Sequence, residues 1–185
     1  MNMRLIIIVI FLSCAGNTLA QGPATYNYNP NQPLDTSKKS IRCMAFAQLG
    51  KDSIRIVYYS PAVRKRVIWG GLVPYNDVWV TGAHSATRLD MPRAFTVNGV
   101  RIPAGQYAIF SIPGETEWTL VINKNWQQHL ADDYDQKDDI VRVTVKPQQA
   151  GYLERLQYFI ETGGQSGKII MAWEKIRVEL PFAFQ

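Results

Sequence analysis

Apolar and polar residues alternate with a period of two along much of the chain after residue 40, and this pattern constrains the fold most strongly. The alternation is clear in Ser53–Tyr58, Val141–Lys146 and Arg155–Ile160. It places one face of a strand against a core and the other in water, as in antiparallel sheets. Turn residues separate such segments at roughly 8–12 positions, which is typical of sandwiches and barrels. We therefore expect an all-β fold, a single antiparallel β-sandwich or a partly closed barrel.

Three local patterns refine this expectation. Asn98-Gly99 lies between two short strand patterns, and Asn-Gly favours the positive φ angles of a two-residue hairpin turn. Apolar residues change parity between Ile169–Trp173 and Ile176–Leu180, so we expect a bulge or break near Glu174-Lys175. Asn125–Ala131 has helical propensity over about two turns and predicts the one short helix.

The N-terminal segment has the pattern of a secretory signal peptide. Arg4 precedes the apolar run Leu5–Leu12, and small residues lead to a cleavage point before Gln21. We expect a signal peptide over residues 1–20 and a periplasmic or secreted protein. A lipoprotein anchored at Cys14 is the alternative.

The rest of the chain divides into two parts. Residues 21–39 are polar and rich in Pro and Asn, which predicts a flexible linker, and residues 40–185 then form one domain. The apolar run near the N-terminus is shorter than the ~20 residues that a membrane span needs, so we expect no transmembrane segment after cleavage.

Charge and cysteine content exclude further classes. The chain has 20 Lys and Arg against 15 Asp and Glu, interspersed, and its only tight basic run is Arg64-Lys65-Arg66. The chain therefore lacks the continuous basic stripe that is typical of a nucleic-acid-binding protein. Cleavage would leave one cysteine, Cys43, on a face with small apolar neighbours, so we expect a buried, unreactive thiol.

Catalytic and metal-binding motifs are sparse. Neither His84 nor His129 has neighbours at the spacing of a zinc site, and no nucleophile elbow or phosphate loop is present. The segment Asp132–Asp139 carries five carboxylates in eight residues but lacks the spacing of an EF-hand. We expect no cofactor, with calcium at this acidic segment as an alternative.

The segment Tyr58–Arg88 interrupts the alternation and is rich in aromatic residues, Gly and Pro. Long connections on a rigid β scaffold often carry sites. We expect a face that binds a small molecule, a glycan or an envelope protein, with these candidate residues: Tyr75, Trp79, His84 and Arg88. We also expect Trp69 and Trp79 to divide burial and exposure between them.

Three alternatives to this binding face remain open. The tryptophans of the segment could only attach the loop to the core. A hydrolase or metal-dependent enzyme could use His84 with acids from elsewhere in the fold. An envelope structural module would have no small-molecule site. The sequence identifies no ligand and no oligomeric state.

The same segment, with later motifs, resembles a known family. The residues that carry the likeness run from Ser60-Pro61 through Trp69–Tyr75 and Val78-Trp79 to Thr87, and continue in Val97–Gly99, Pro103–Tyr107, Ile112–Gly114, Glu117-Trp118 and Asn123-Lys124. They are similar to a bacterial exported family catalogued as domain of unknown function 2911, over about residues 40–182. The resemblance implies one exported β-rich domain of Gram-negative bacteria. It implies no activity and no catalytic residue.

Overall fold

The structure is a computed structural model that describes residues 25–27 and 37–185, with side chains from residue 37 onward. The predicted signal peptide and Cys14 lie outside the described residues. So does the predicted linker, apart from Thr25–Asn27 and residues 37–39.

Two antiparallel sheets make up the described part of the chain and confirm the predicted β-sandwich. The larger sheet has the strand order β1-β2-β3-β4-β7-β8-β9, and the smaller has the order β10-β11-β5-β6. The strand bounds are β1 Thr25–Asn27, β2 Ser40–Leu49, β3 Asp52–Pro61, β4 Thr87–Met91, β5 Phe95–Val97, β6 Val100–Ile102, β7 Gly105–Ile112, β8 Trp118–Asn123, β9 Asp139–Val145, β10 Gln148–Gly163 and β11 Ser166–Phe184.

The alternating residues form the core between the sheets. Ile54, Ile56 and Tyr58 of β3 are buried, while Arg55 between them is exposed. The Tyr58 ring meets Tyr158 of β10 edge-on, with 4.8 Å between ring centroids. Edge-to-face aromatic pairs stabilise a core beyond the area that they bury. The period of two therefore does what the sequence predicts: it directs every second residue toward the opposite sheet.

Both predicted irregularities are present. Asn98 and Gly99 have φ angles of 48° and 80° and join β5 to β6 as a tight hairpin. At Glu174, φ is 55° and the pairing of β10 with β11 shifts register. The amide of Phe184 also donates to the carbonyl of Gln165 at 2.7 Å. A straight strand of this length would be about 60 Å long, so β11 doubles back on itself near Glu174.

The helix predicted at Asn125–Ala131 is wrong. This segment is irregular, and the one helix among the described residues is a single 3₁₀ turn at Gln136–Asp138. Leu130 has a φ of 47°, which a helix does not accommodate. Trp126 and Ala131 instead pack on the outer face of the larger sheet, against a small cluster that includes Phe110. Tertiary burial overrides a weak local propensity here. No helix in the described ranges is long and apolar enough to span a membrane.

Cys43 lies on the inner face of β2 and is 4% exposed. Burial raises the pKa of its thiol to about 11, even though Arg155 and Tyr58 act in the opposite direction. The predicted burial of this residue is therefore confirmed, and a neutral thiol at pH 7 is the form that its surroundings favour.

Candidate functional site

The loop between β3 and β4 is held to the sandwich by backbone pairing as well as by side chains. Trp79 exchanges two backbone hydrogen bonds with Ser111 of β7, at 2.8 and 2.9 Å. Thr81 accepts the buried hydroxyl of Tyr158 on its carbonyl oxygen at 2.9 Å. Val63 donates to the carbonyl of Glu154 in β10 at 2.8 Å. The loop is therefore tied to both sheets, as a rigid binding surface requires.

Four tryptophans meet beneath this loop. The Trp69 ring lies edge-on to those of Trp79, Trp118 and Trp173, with centroid distances of 5.8, 4.8 and 5.7 Å. Trp79 stacks on Trp173 at 5.9 Å. Trp173 is 1% exposed, whereas Trp69 and Trp79 are both half-buried. The expected division of roles between Trp69 and Trp79 is wrong, because both pack on the core in the same cluster.

A cavity of about 300 Å³ opens above this cluster, and we call it the loop pocket. Its buried and half-buried lining is mainly apolar and includes Val73, Trp79, Val80 and Trp173. Its exposed lining comprises Lys39, Arg66, Leu72, His84 and Leu130. The remaining lining residues are Ser40, Pro61, Gly82 and Ala83.

The exposed rim of the loop pocket is basic. Arg66 is fixed by two hydrogen bonds to the carbonyl oxygens of Ala62 and Val63, at 2.5 and 3.1 Å. Neither Arg66 nor Lys39 has a carboxylate within ion-pair distance in the part of the chain that the structure describes, and no acidic residue lines the pocket. An apolar cavity with unneutralised cations at its mouth favours an anion that carries an apolar body.

His84 stands at the edge of the loop pocket in a left-handed conformation, with a φ of 61°. Its Nε2 lies 2.7 Å from the hydroxyl oxygen of Ser40, and its ring is edge-on to Tyr59 at 5.0 Å. The neighbouring Ser85, which is a poor partner for a histidine on geometric grounds, lines a different cavity. Sequence spacing gave no signal for the Ser40–His84 contact, since the two residues are 44 positions apart.

The second cavity, of about 420 Å³, lies on the outer face of the larger sheet, and we call it the outer cleft. Arg42, Tyr59 and Arg88 come from three adjacent strands, in which Arg42 pairs with Tyr59 and Val57 pairs with Arg88. The connection between β8 and β9 covers these strands. It supplies the other side of the cleft with Trp126, Gln127, Gln128, His129 and Asp133, and the loop before β4 adds Ser85 and Ala86.

Arg88 organises the floor of the outer cleft. Its guanidinium carbon lies 5.1 Å from the centroid of the Trp126 ring, within the range of a cation–π contact. Its Nη2 donates to Oδ2 of Asp90 at 3.2 Å. Its Nε lies 2.8 Å from Oδ1 of the same carboxylate, close enough for an ion pair but without the alignment of a hydrogen bond. The positive charge of Arg88 is therefore neutralised at the site.

One strip of backbone separates the two cavities, and we call it the shared wall. It consists of residues 84–86 paired with residues 128–130. Ala86 donates to the carbonyl of Gln128 at 3.0 Å, and Leu130 donates to the carbonyl of His84 at 2.5 Å. His84 and Leu130, which both have left-handed φ angles, line the loop pocket, while Ser85, Ala86, Gln128 and His129 line the outer cleft.

The structure separates the four candidate residues of the sequence analysis. Trp79 and His84 line the loop pocket together, and Arg88 lines the outer cleft. Tyr75 lines neither cavity. Its ring covers Gly70, where an added Cβ would lie 2.8 Å from Cε2 of the tyrosine and where φ is 74°. Tyr75 therefore has a packing contact that requires glycine at position 70.

The acidic segment 132–139 distributes its carboxylates over separate partners. Asp132 pairs with His129 at 3.1 Å, Asp135 caps the 3₁₀ turn, and Asp138 pairs with Lys124 at 3.0 Å. Asp139 accepts the hydroxyl of Tyr134 at 2.6 Å, and burial together with this carboxylate raises the pKa of that tyrosine to about 12. Within the described ranges, no three His, Cys, Asp or Glu side chains are grouped so that they could hold a metal ion.

Comparison with known proteins gives one match. A family model described as a protein of unknown function (DUF2911) matches residues 40–182. No curated protein and no solved structure matches the chain.

Proposed function

The chain belongs to the DUF2911 family of proteins of unknown function, and since that description assigns no activity, we propose from the geometry that the protein binds a small organic anion in the loop pocket. The observation that carries the proposal is the lining itself. Aromatic and aliphatic side chains form the interior, and two cations without carboxylate partners among the described residues, Lys39 and Arg66, stand at the mouth.

The chemistry of the ligand follows from this division. Apolar surface that leaves water for the interior beside Trp79 and Trp173 provides the driving force for binding. An anionic group on the same ligand would remain at the rim, where Arg66 has guanidinium donors beyond the two N–H groups bonded to backbone carbonyls. A neutral ligand of the same shape would lose this second interaction. Phenylacetate and its neutral analogue phenylacetamide are therefore a matched pair of probes.

A substitution pair in the loop tests the site. Leu72 and Val67 are both exposed apolar residues, 45% and 73% exposed, but only Leu72 lines the pocket. We expect Leu72→Asp to weaken phenylacetate binding at least tenfold, about 1.4 kcal/mol, in a calorimetric or NMR titration. The matched Val67→Asp should bind like the unmodified protein. Equal effects of the two substitutions, or equal affinity for phenylacetate and phenylacetamide, would contradict the proposal.

A second candidate function, ester or amide hydrolysis, is favoured by the Ser40–His84 contact. A serine hydroxyl 2.7 Å from a histidine nitrogen has the geometry of a nucleophile and its general base. The third group of such a site is missing, because no carboxylate contacts His84 among the described residues. We propose binding rather than hydrolysis for this reason.

The hydrolysis candidate has a direct test. An active serine is labelled by a fluorophosphonate, and mass spectrometry locates the adduct. Labelling at Ser40 that disappears in His84→Ala would establish the hydrolase. No labelling, together with phenylacetate binding by the unmodified protein, is the outcome that the binding proposal predicts. If neither probe binds, an envelope structural module becomes the better description.

Export is part of the same proposal. The apolar run and the small residues before Gln21 support a periplasmic or secreted site of action, where the protein would meet the small organic anion. Intact-mass analysis of protein from a bacterial envelope fraction should give a mature N-terminus at Gln21. A lipid-modified N-terminus at Cys14 would show that the predicted cleavage site is wrong, but the protein would still be exported.

A further inference from the structure

The outer cleft has the composition of a binding site for a ligand unlike that of the loop pocket. Arg88 is neutralised by Asp90, and His129 is paired with Asp132 at 3.1 Å. Asp133 adds a carboxylate to the lining, opposite in sign to Arg42. A lining in which both signs of charge are represented gives an anion no general advantage, in contrast to the mouth of the loop pocket.

The polar groups of the cleft include both donors and acceptors. Guanidinium and hydroxyl groups donate, and the Asp133 carboxylate accepts. Gln128 is only 6% exposed, yet its Oε1 has no hydrogen-bond partner among the described residues, while its Nε2 donates to the carbonyl of Asn125 at 2.6 Å. A buried acceptor without a partner is costly, and a rotation of the Gln128 amide toward the cleft would let a ligand hydroxyl satisfy it.

Two aromatic rings complete the lining. Trp126 and Tyr59 are both half-buried and both border the cavity. The Trp126 ring is held in place by the Arg88 guanidinium and by the cluster on the outer face of the sheet. The part of each ring that stays exposed in the cleft offers a ring ligand a rigid apolar contact without a large loss of side-chain entropy.

These observations point to one ligand class. We infer that the outer cleft binds a neutral saccharide of one or two rings. Sugar hydroxyl groups donate and accept at once, which fits a lining with both kinds of partner, and the C–H faces of a sugar ring fit against aromatic side chains. The volume of about 420 Å³ lies within the range of small-ligand sites. The site is separate from the loop pocket, so this inference does not depend on the proposed function.

The test is saturation-transfer NMR on the full chain with a defined panel: glucose, galactose, mannose, N-acetylglucosamine, maltose and cellobiose. At least one of these sugars should receive saturation from the aromatic protons of the protein, and Trp126→Leu should abolish the transfer. Absence of transfer to every sugar in the panel would overturn the inference.

A charge control separates a saccharide site from an anion site. Glucuronate has the ring of glucose and one carboxylate in addition. It should bind no more tightly than glucose, because Arg88 and His129 already have carboxylate partners. Glucuronate binding that is tenfold tighter than that of glucose would contradict a neutral-saccharide site.

A second variant keeps the test valid if Trp126→Leu destabilises the protein. Asp133 is exposed and lines the cleft, whereas Asp77 is exposed and lines neither cavity. Asp133→Ala should weaken the best sugar about tenfold, and Asp77→Ala should leave its affinity unchanged. Equal sugar affinities of Asp133→Ala and Asp77→Ala would show that the Asp133 carboxylate takes no part in binding, and this would contradict the inference.

Discussion

The loop pocket and the outer cleft share one wall but rest on different parts of the sandwich. The loop pocket rests on Trp173 and Val73, which belong to the core between the sheets. The outer cleft rests on the solvent side of β2, β3 and β4, under a connection that packs on a cluster of five buried residues. The first cavity is therefore part of the core, and the second is an addition to its surface.

This difference separates stability from ligand chemistry. A core-based cavity has an apolar interior because its lining must also hold the two sheets together. A cavity on the outer face is free to carry polar residues, because every second side chain of an antiparallel strand faces water. The ligands that we propose for the two cavities differ because the cavities occupy different positions in the sandwich, even though residues 84–86 contribute to both linings.

The largest expected difference between the two regions is in the stability that one tryptophan contributes. Trp173→Ala should lower the free energy of unfolding by about 3–5 kcal/mol, because it leaves a cavity in the core. Trp126→Ala should lower it by about 1–2 kcal/mol, because Trp126 is half-buried on the outer face. Urea unfolding followed by far-UV circular dichroism measures both values. Equal losses of unfolding free energy in the two variants would contradict the distinction between a cavity in the core and a cavity on the outer surface.

The burial of Cys43 on the inner face of β2 should make the free energy of unfolding depend on pH. The folded-state pKa of Cys43 is about 11, above the ordinary value of 9.0. The stability that this thiol contributes is complete below pH 9 and is lost as the pH rises through 11, because the unfolded chain releases the proton first.

Cys43→Ala should therefore make the alkaline decline in unfolding free energy less steep, as measured by urea unfolding at pH 8 to 11. Arg42→Gln is the control on the neighbouring residue, whose side chain lines the outer cleft. Curves of the same steepness for Cys43→Ala and the unmodified protein would show that the thiol ionises as freely as in water.

Ionic strength should affect the two cavities differently. Lys39 and Arg66 are exposed, so their attraction for phenylacetate is screened by salt. We expect the dissociation constant for phenylacetate to rise several-fold between 20 mM and 500 mM sodium chloride, and that for a neutral sugar in the outer cleft to stay constant. Parallel salt responses would mean that the two linings do not differ in charge selectivity.

The smallest expected effect concerns the shared wall. His84 is exposed, and its side chain makes one hydrogen bond and one ring contact. His84→Ala should change the free energy of unfolding by no more than about 0.5 kcal/mol, while phenylacetate binding weakens and sugar binding does not. A thermal melt and the two titrations measure these quantities. A large loss of stability would make His84 a structural residue.

The sandwich could be predicted because its main signal is local. The alternation of apolar and polar residues in β3, β9 and β10 determines which side chains face the core. Asn98-Gly99 likewise determines a hairpin turn through its own backbone preference, independently of the rest of the chain. The segment around Trp126 shows the limit of this reasoning. Its weak helical propensity gave way to packing on Phe110 and Val121, which become neighbours only when β7 pairs with β8.

The candidate site was predictable in part for the same reason. Trp79 and His84 are close in sequence and remain together in the loop pocket. Arg88 alternates with the buried Leu89 and therefore lies on the outer side of β4. For this reason it does not line the loop pocket together with Trp79 and His84. Ser40, Tyr59 and Trp126 were missed because only the pairing of β2 with β3, and the fold of a distant connection, bring them to the cavities.

The claim that two cavities on one wall select different ligands can be tested in a single NMR experiment. The five tryptophans each give one indole N–H resonance: four of them form the cluster beneath the loop, and Trp126 lines the outer cleft. Phenylacetate should shift the indole signals of Trp79 and Trp173, and the best-binding neutral sugar should shift that of Trp126, with both sets of shifts present when both probes are added. If both probes shift the same indole signals, or if one displaces the other, the cavities do not act as two sites.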